Sequence, residues 1–119
     1  MTKAEFVYGA ARLHATALEC PVVPAPWEER EVDFKEQFID LIDDLCSGKR
    51  EFLDNEAAHD SLIDKYFKMG WKYGKHYDPE NRIHPDLVPY NDLYPKEKVK
   101  DEVFVRLVKI ARDCIWEGV

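Results

Sequence analysis

His59 to Asp101 reads HDSLIDKYFKMGWKYGKHYDPENRIHPDLVPYNDLYPKEKVKD, and the change of pattern inside it decides the fold. Around and ahead of Gly70, the apolar residues Ala58, Leu62, Ile63, Tyr66 and Phe67 recur at helical spacing. Asp54 or Asn55 can cap the start of that helix, and Gly70 can take the left-handed conformation that ends it. From Trp71 to Tyr94 the pattern fits neither a helix nor a long strand, and Asp78-Pro79-Glu80-Asn81 is a turn sequence. A segment this long without regular structure is either functional or disordered. Its aromatic and aliphatic content, from Trp71 and Tyr73 to Leu93 and Tyr94, argues for a packed, ordered loop. Pro95 suits the first turn of a further helix, with Val99, Val103, Leu107, Ile110, Ala111 and Cys114 along one face.

Upstream, Phe6, Ala10, Leu13 and Ala17, flanked by Val7, Ala11, His14 and Leu18, predict an amphipathic helix over Thr2 to Glu19, with Thr2 and Glu5 placed as a capping box. The prolines of Cys20-Pro-Val-Val-Pro-Ala-Pro26 cannot continue it and make a stiff extended connection. A second helix is expected from Trp27 or Glu28 through Phe34, Phe38, Leu41, Ile42 and Leu45 to a stop at Gly48. The expectation is a mainly α, four-helix single domain over residues 1–119 with one long ordered loop, and 119 residues suffice for one core. No low-complexity tract or evident tandem repeat interrupts it.

The net charge of -7 argues against binding duplex nucleic acid, which needs many basic phosphate contacts. Charge is unevenly spread: Glu28 to Asp64 is strongly acidic, whereas Lys65 to Arg82 is a basic island, either a solvated helix end or a patch that receives an anion. The three cysteines, Cys20, Cys46 and Cys114, have neither disulfide-framework nor metal spacing and read as reduced thiols. Lys3, Glu5 and Arg12 break any apolar run at the N-terminus, so neither signal peptide nor membrane span is expected and the cytoplasm is the expected compartment. The histidines show no metal-ligand spacing, and neither a phosphate-cradling glycine loop nor a nucleophile elbow is present. No enzyme activity, cofactor or metal is therefore expected.

The spaced residues Gly70-Trp71, Tyr73-Gly74, Asp78, Arg82, His84-Pro85, Leu87-Val88, Tyr90, Leu93, Glu97-Lys98 and Asp101 resemble the ryanodine receptor repeat (RyR) domain. Arg12-Leu13-His14 and Pro26-Trp27-Glu28 extend the likeness to stand-alone bacterial and phage forms. Two positions depart from that pattern: Arg82 stands where lysine is commoner, and Ala15 follows His14 where an acid is frequent. The resemblance implies a small helical domain of two related halves and a binding role, since such domains have been proposed to sense nucleotide-derived signals. The expected function is ligand sensing or sequestration of an adenine-nucleotide-like molecule. The alternative is a protein interaction module that meets a partner or a second copy of itself without a small molecule.

The candidate ligand-binding residues are Trp71, Tyr73, Arg82, His84, Tyr90, Asn91, Arg12 and Trp27. Gly70 lets Trp71 turn off the helix axis, and an exposed indole there would stack a base; a buried one would be core. Arg82 offers a bidentate fork to phosphate, Asn91 a donor and an acceptor to base or ribose. Tyr73 and Tyr90 are read first as minor core, His84 as a turn-fixing histidine, and Arg12 with His14 as a pair on the first helix.

Overall fold

The computed structural model describes residues 1–49 and 54–115. Among these residues four helices carry the fold: α1 (Lys3–Ala17), α2 (Val32–Ser47), α3 (Asn55–Lys68) and α4 (Pro95–Cys114), with two short strands, β1 (Lys72–Tyr73) and β2 (Ile83–His84), between α3 and α4. The expected mainly α architecture is present, and α4 is its hub, packing on α1, α2 and α3.

Local chemistry sets the helix ends. The Thr2 hydroxyl accepts from the Glu5 amide at 3.1 Å, and Asp54 accepts from the Ala57 amide at 2.8 Å, each satisfying a donor that the helix leaves open. Gly48 and Gly70 take positive φ values of 86° and 85°. After α3 the Trp71 amide donates to Tyr66 O and the Gly70 amide to Phe67 O, both at 3.0 Å, which is the Schellman arrangement. Pro95 opens α4 as expected.

Three expectations need correction. The second helix does not start at Trp27 or Glu28: Trp27–Glu29 is a 3₁₀ turn, and Arg30 is extended at φ -75° and ψ 155° before α2 begins at Val32. That break lets the Arg30 side chain turn inward. The buried face of α4 is Glu97, Asp101, Phe104, Val105, Val108 and Ala111, while Val99 and Ile110 are exposed. Two buried carboxylates on the true face hid it from a reading based on apolar spacing. For the same kind of reason α1 buries Ala4, Val7, Tyr8 and Ala15 and leaves Leu13 exposed.

The chain is built of two repeated halves, as the resemblance implied. In the first, Pro26 leads into the turn Trp27–Glu29, closed by the Arg30 amide on Trp27 O. In the second, Pro89 leads into Tyr90–Asp92, closed by the Leu93 amide on Tyr90 O. The register continues along the helices, where buried Phe34, Phe38, Leu41, Ile42 and Leu45 of α2 match buried Glu97, Asp101, Phe104, Val105 and Val108 of α4. Side-chain contacts repeat as well. The Tyr8 hydroxyl donates to Ala25 O, and His59 Nε2 donates to Val88 O at 2.7 Å. Tyr8 meets the Trp27 ring edge-on, and His59 packs tilted against Tyr90; Lys35 lies over Trp27 as Lys98 lies over Tyr90.

The halves differ chiefly in the connection after their first helix, residues 18–26 against 69–89. In the longer one, β1 pairs in parallel with β2, Lys72 opposite Ile83 and Tyr73 opposite His84. The Asp78 side chain caps the turn Pro79–Asn81. The long segment is thus ordered and packed down.

Candidate functional site

Between the two halves lies a cavity of about 150 Å³, comparable with an engineered apolar cavity that admits benzene. From α1 it is walled by Tyr8, Ala11 and Ala15, spaced to share one helix face, and from α3 by His59, Leu62 and Tyr66 in the same relation. Phe34 and Phe38 of α2 and Phe104 of α4 add apolar wall, and the connections contribute Arg30, His84, Asp86 and Leu93. Arg12, His14, Ile63 and Lys100 also line it and are half-buried.

Arg30 dominates the electrostatics of the first half. It is 6% exposed, and its guanidinium lies 3.5 Å from the centre of the Phe34 ring. Nη1 donates to the Tyr8 hydroxyl at 2.9 Å, and Nε sits 3.4 Å from a Glu31 carboxylate oxygen. Burial opposes its charge, but Tyr66 and Tyr8 beside it outweigh that effect, and arginine stays protonated in proteins in any case. Nη2 is buried and makes no hydrogen bond of normal distance and angle among the described residues, although the Tyr66 hydroxyl lies close enough to help hold the charge. A buried donor left unpaired costs about 1–3 kcal/mol, more when charged, so the site as it stands favours an incoming acceptor.

The second half supplies acids. Glu97 accepts from the Val22 amide at 3.2 Å and lies 2.6 Å from Lys100 Nζ, which also donates to Val22 O at 2.9 Å. Asp86 stands 3.8 Å from the same ammonium. Burial and the adjoining Glu97 carboxyl push the Asp86 acid up to about 7. Asp101 Oδ2 is 3.2 Å from His59 Nδ1. With Val88 O on the other ring nitrogen, both His59 nitrogens face acceptors; burial works against its charge, but Asp101 and then Val88 O outweigh it and raise its pKa. Burial likewise raises Asp101, opposed by His59. His84 accepts from the Asp86 amide through Nδ1 at 3.0 Å. Burial first, then Lys100 and Arg30, lower it to about 3, so it stays neutral.

Of the residues singled out from the sequence, the structure brings Arg12 and His84 to this cavity. Arg12 is partly committed, its Nε donating to Pro24 O at 2.9 Å. Trp71 is corrected from an open stacking platform to a core residue: it is 2% exposed, meets Tyr66 edge-on at 5.1 Å and stacks on Tyr77, and it is not part of the cavity wall. Arg82 is corrected as well. Its fork is already held by Asp33, at 2.7 and 3.1 Å, and its Nη1 also donates to Met69 O at 2.6 Å. It ties the long connection to the first turn of α2 and to the end of α3. Tyr73 is exposed rather than minor core, Asn91 is exposed in its turn, and neither they nor Tyr90 and Trp27 line the cavity. The two rings instead brace Tyr8 and His59 from behind.

Among known families, the RyR domain matches residues 23–110 of the chain. The chain belongs to the RyR domain family. No curated protein and no solved structure matches it. In this RyR domain, α1 lies ahead of the matched stretch yet closes one side of the cavity. Arg30, Tyr8, Tyr66 and Asp86 line the cavity and were not singled out from the sequence. A signal for Arg30 was present: the repeat Pro26-Trp27 and Pro89-Tyr90 puts a charged residue where its counterpart, Leu93, is apolar. The family match carries no residue roles, and the described residues hold no cluster of metal-ligating groups.

Proposed function

We propose that this RyR domain senses or sequesters a nucleotide-derived small molecule, with the ligand's oxyanion set against Arg30 in the cavity between the halves. The supporting observation is the buried guanidinium whose Nη2 makes no hydrogen bond of normal geometry while its group lines a cavity of about 150 Å³. A phosphate oxygen makes a short, charge-assisted hydrogen bond to such a donor. A cavity of about 150 Å³ takes one ring-sized group, so the oxyanion end of the ligand is the part that enters against Arg30 and the rest of the molecule stays outside the cavity.

Thermal melting against AMP, ADP, ATP, ADP-ribose and cyclic nucleotides tests the reading. A ligand at about 100 times its dissociation constant adds about 2.7 kcal/mol of stability, so at least one nucleotide should raise the melting temperature clearly. Its phosphate-free nucleoside should raise it less. No shift across the panel removes the proposal.

A protein interaction role is the second reading. It is favoured by Val32, Phe67, Tyr73 and Tyr94, large apolar or aromatic side chains that are each more than half exposed. It predicts saturable self-association or partner capture that nucleotides do not alter.

A further inference from the structure

Two arginines of the first half converge on the cavity. Arg12 Nε donates to Pro24 O at 2.9 Å, and the Tyr8 hydroxyl donates to the next carbonyl along the chain, Ala25 O. The same hydroxyl accepts from Arg30 Nη1 at 2.9 Å. Tyr8 therefore links the two guanidiniums, and both positive charges act on its hydroxyl. Arg12 and Arg30 both line the cavity. Arg12 is half-buried, and beyond its bond to Pro24 O its guanidinium makes no hydrogen bond or ion pair among the described residues.

The duplicated scaffold needs neither cation. Arg12 follows Tyr8 by four residues as Ile63 follows His59, and Arg30 corresponds to Leu93, so the second half is apolar at both places. The acids of the wall do not call for them either. Glu97 accepts from the Val22 amide and lies 2.6 Å from Lys100 Nζ, Asp101 has His59 at 3.2 Å, and Asp86 shares a hydrogen bond with Glu97, which takes a proton between the two carboxyls. Of the two arginines, Arg30 has a carboxylate beside it, Glu31 at 3.4 Å, and Arg12 has none among the described residues. One guanidinium suits one oxyanion, whereas two joined through a single hydroxyl suit a group with oxygens on two sides and more than one negative charge. We propose that the ligand presents a diphosphate end-on, one phosphoryl group against Arg30 inside the cavity and the next against Arg12. This rests on the function proposed above and narrows it from phosphates in general to molecules ending in two or more linked phosphates.

Isothermal titration of the native chain and of Arg12→Ile, each with inorganic phosphate and with pyrophosphate, separates the two claims. Arg12→Ile installs the residue type that the second half carries at this place. The native chain should bind pyrophosphate about tenfold more tightly than phosphate, the scale of one hydrogen bond to a charged group. Arg12→Ile should erase most of that preference and leave phosphate binding nearly unchanged. If the native chain shows no preference, or if Arg12→Ile keeps it or weakens both probes alike, the diphosphate inference is overturned while the single-oxyanion site at Arg30 stands. If neither probe binds, the inference falls, and the nucleotide melting panel decides whether the wider reading falls with it. Should Arg12→Ile not fold, Arg12→Lys answers, because it keeps the charge and removes the fork. A loss of about tenfold in its preference for pyrophosphate supports the inference, and full retention overturns it.

Discussion

The Asp86 carboxyl carries a stability consequence that can be read by pH. Its folded value, about 7, lies above the ordinary aspartate value of about 3.9. A raised acid contributes stability below its unfolded value and loses it as pH climbs through the folded one. Above about 7 the native chain must therefore keep a poorly compensated anion in the cavity wall. Asp86→Asn should raise the melting temperature most at pH 8, and the gain should shrink steadily as pH falls toward about 4. A gain that is constant with pH would place Asp86 in water. His59 works in the same direction: its raised pKa makes its pairing with Asp101 most stabilising below the ordinary histidine range, fading as pH rises.

At the scale of elements, the long connection between α3 and α4 is packed down around Trp71. Tyr66, Tyr77 and His84 surround the indole, so Trp71→Ala should cost about 3–5 kcal/mol, the range for large core aromatics, measured by chemical denaturation. Gly74 shows how tightly the connection closes: a Cβ there would come 2.1 Å from Ile83 Cγ2. Gly74→Ala should therefore destabilise by about 1–3 kcal/mol through overpacking, and a neutral result would mean that β1 and β2 do not lie this close. By contrast, Arg82→Ala removes a half-exposed pair with Asp33 and should cost about 1 kcal/mol or less. Apart from the start of α2, the helix limits were legible because Thr2, Asp54, Gly48, Gly70 and Pro95 act through local chemistry. The faces of α1 and α4 were not, because Tyr8, Glu97 and Asp101 are buried for what they bond across the chain, and apolar spacing cannot register a partner that is distant in sequence. Trp71 and Arg82 looked like a site for the related reason that an aromatic and a cation in a loop read alike whether they are packed and paired or open to a ligand.

The whole molecule is a duplicated unit whose two halves have diverged where they face each other. Its four-helix plan was readable from helical spacing along the chain, and its doubled character only through the family resemblance that the spaced residues of His59 to Asp101 carry, but the cavity was not. Its walls come from all four helices and both connections, and only the folded chain brings them together. The repeat itself suggests a decisive variant. Leu93 occupies in the second half the place that Arg30 holds in the first, so Arg30→Leu should fold, as buried ionic groups replaced by well-packed apolar ones often lose little stability. It should keep a helical spectrum and a cooperative melt yet lose the nucleotide-induced shift. Retention of the full shift would remove Arg30 from the site. The most direct measurement is a crystal structure grown with the nucleotide that raises the melting temperature most. The account predicts density between α1 and α3, with an oxyanion about 2.7–2.9 Å from Arg30 Nη2; an empty cavity, or a nucleotide bound elsewhere on the surface, would contradict it.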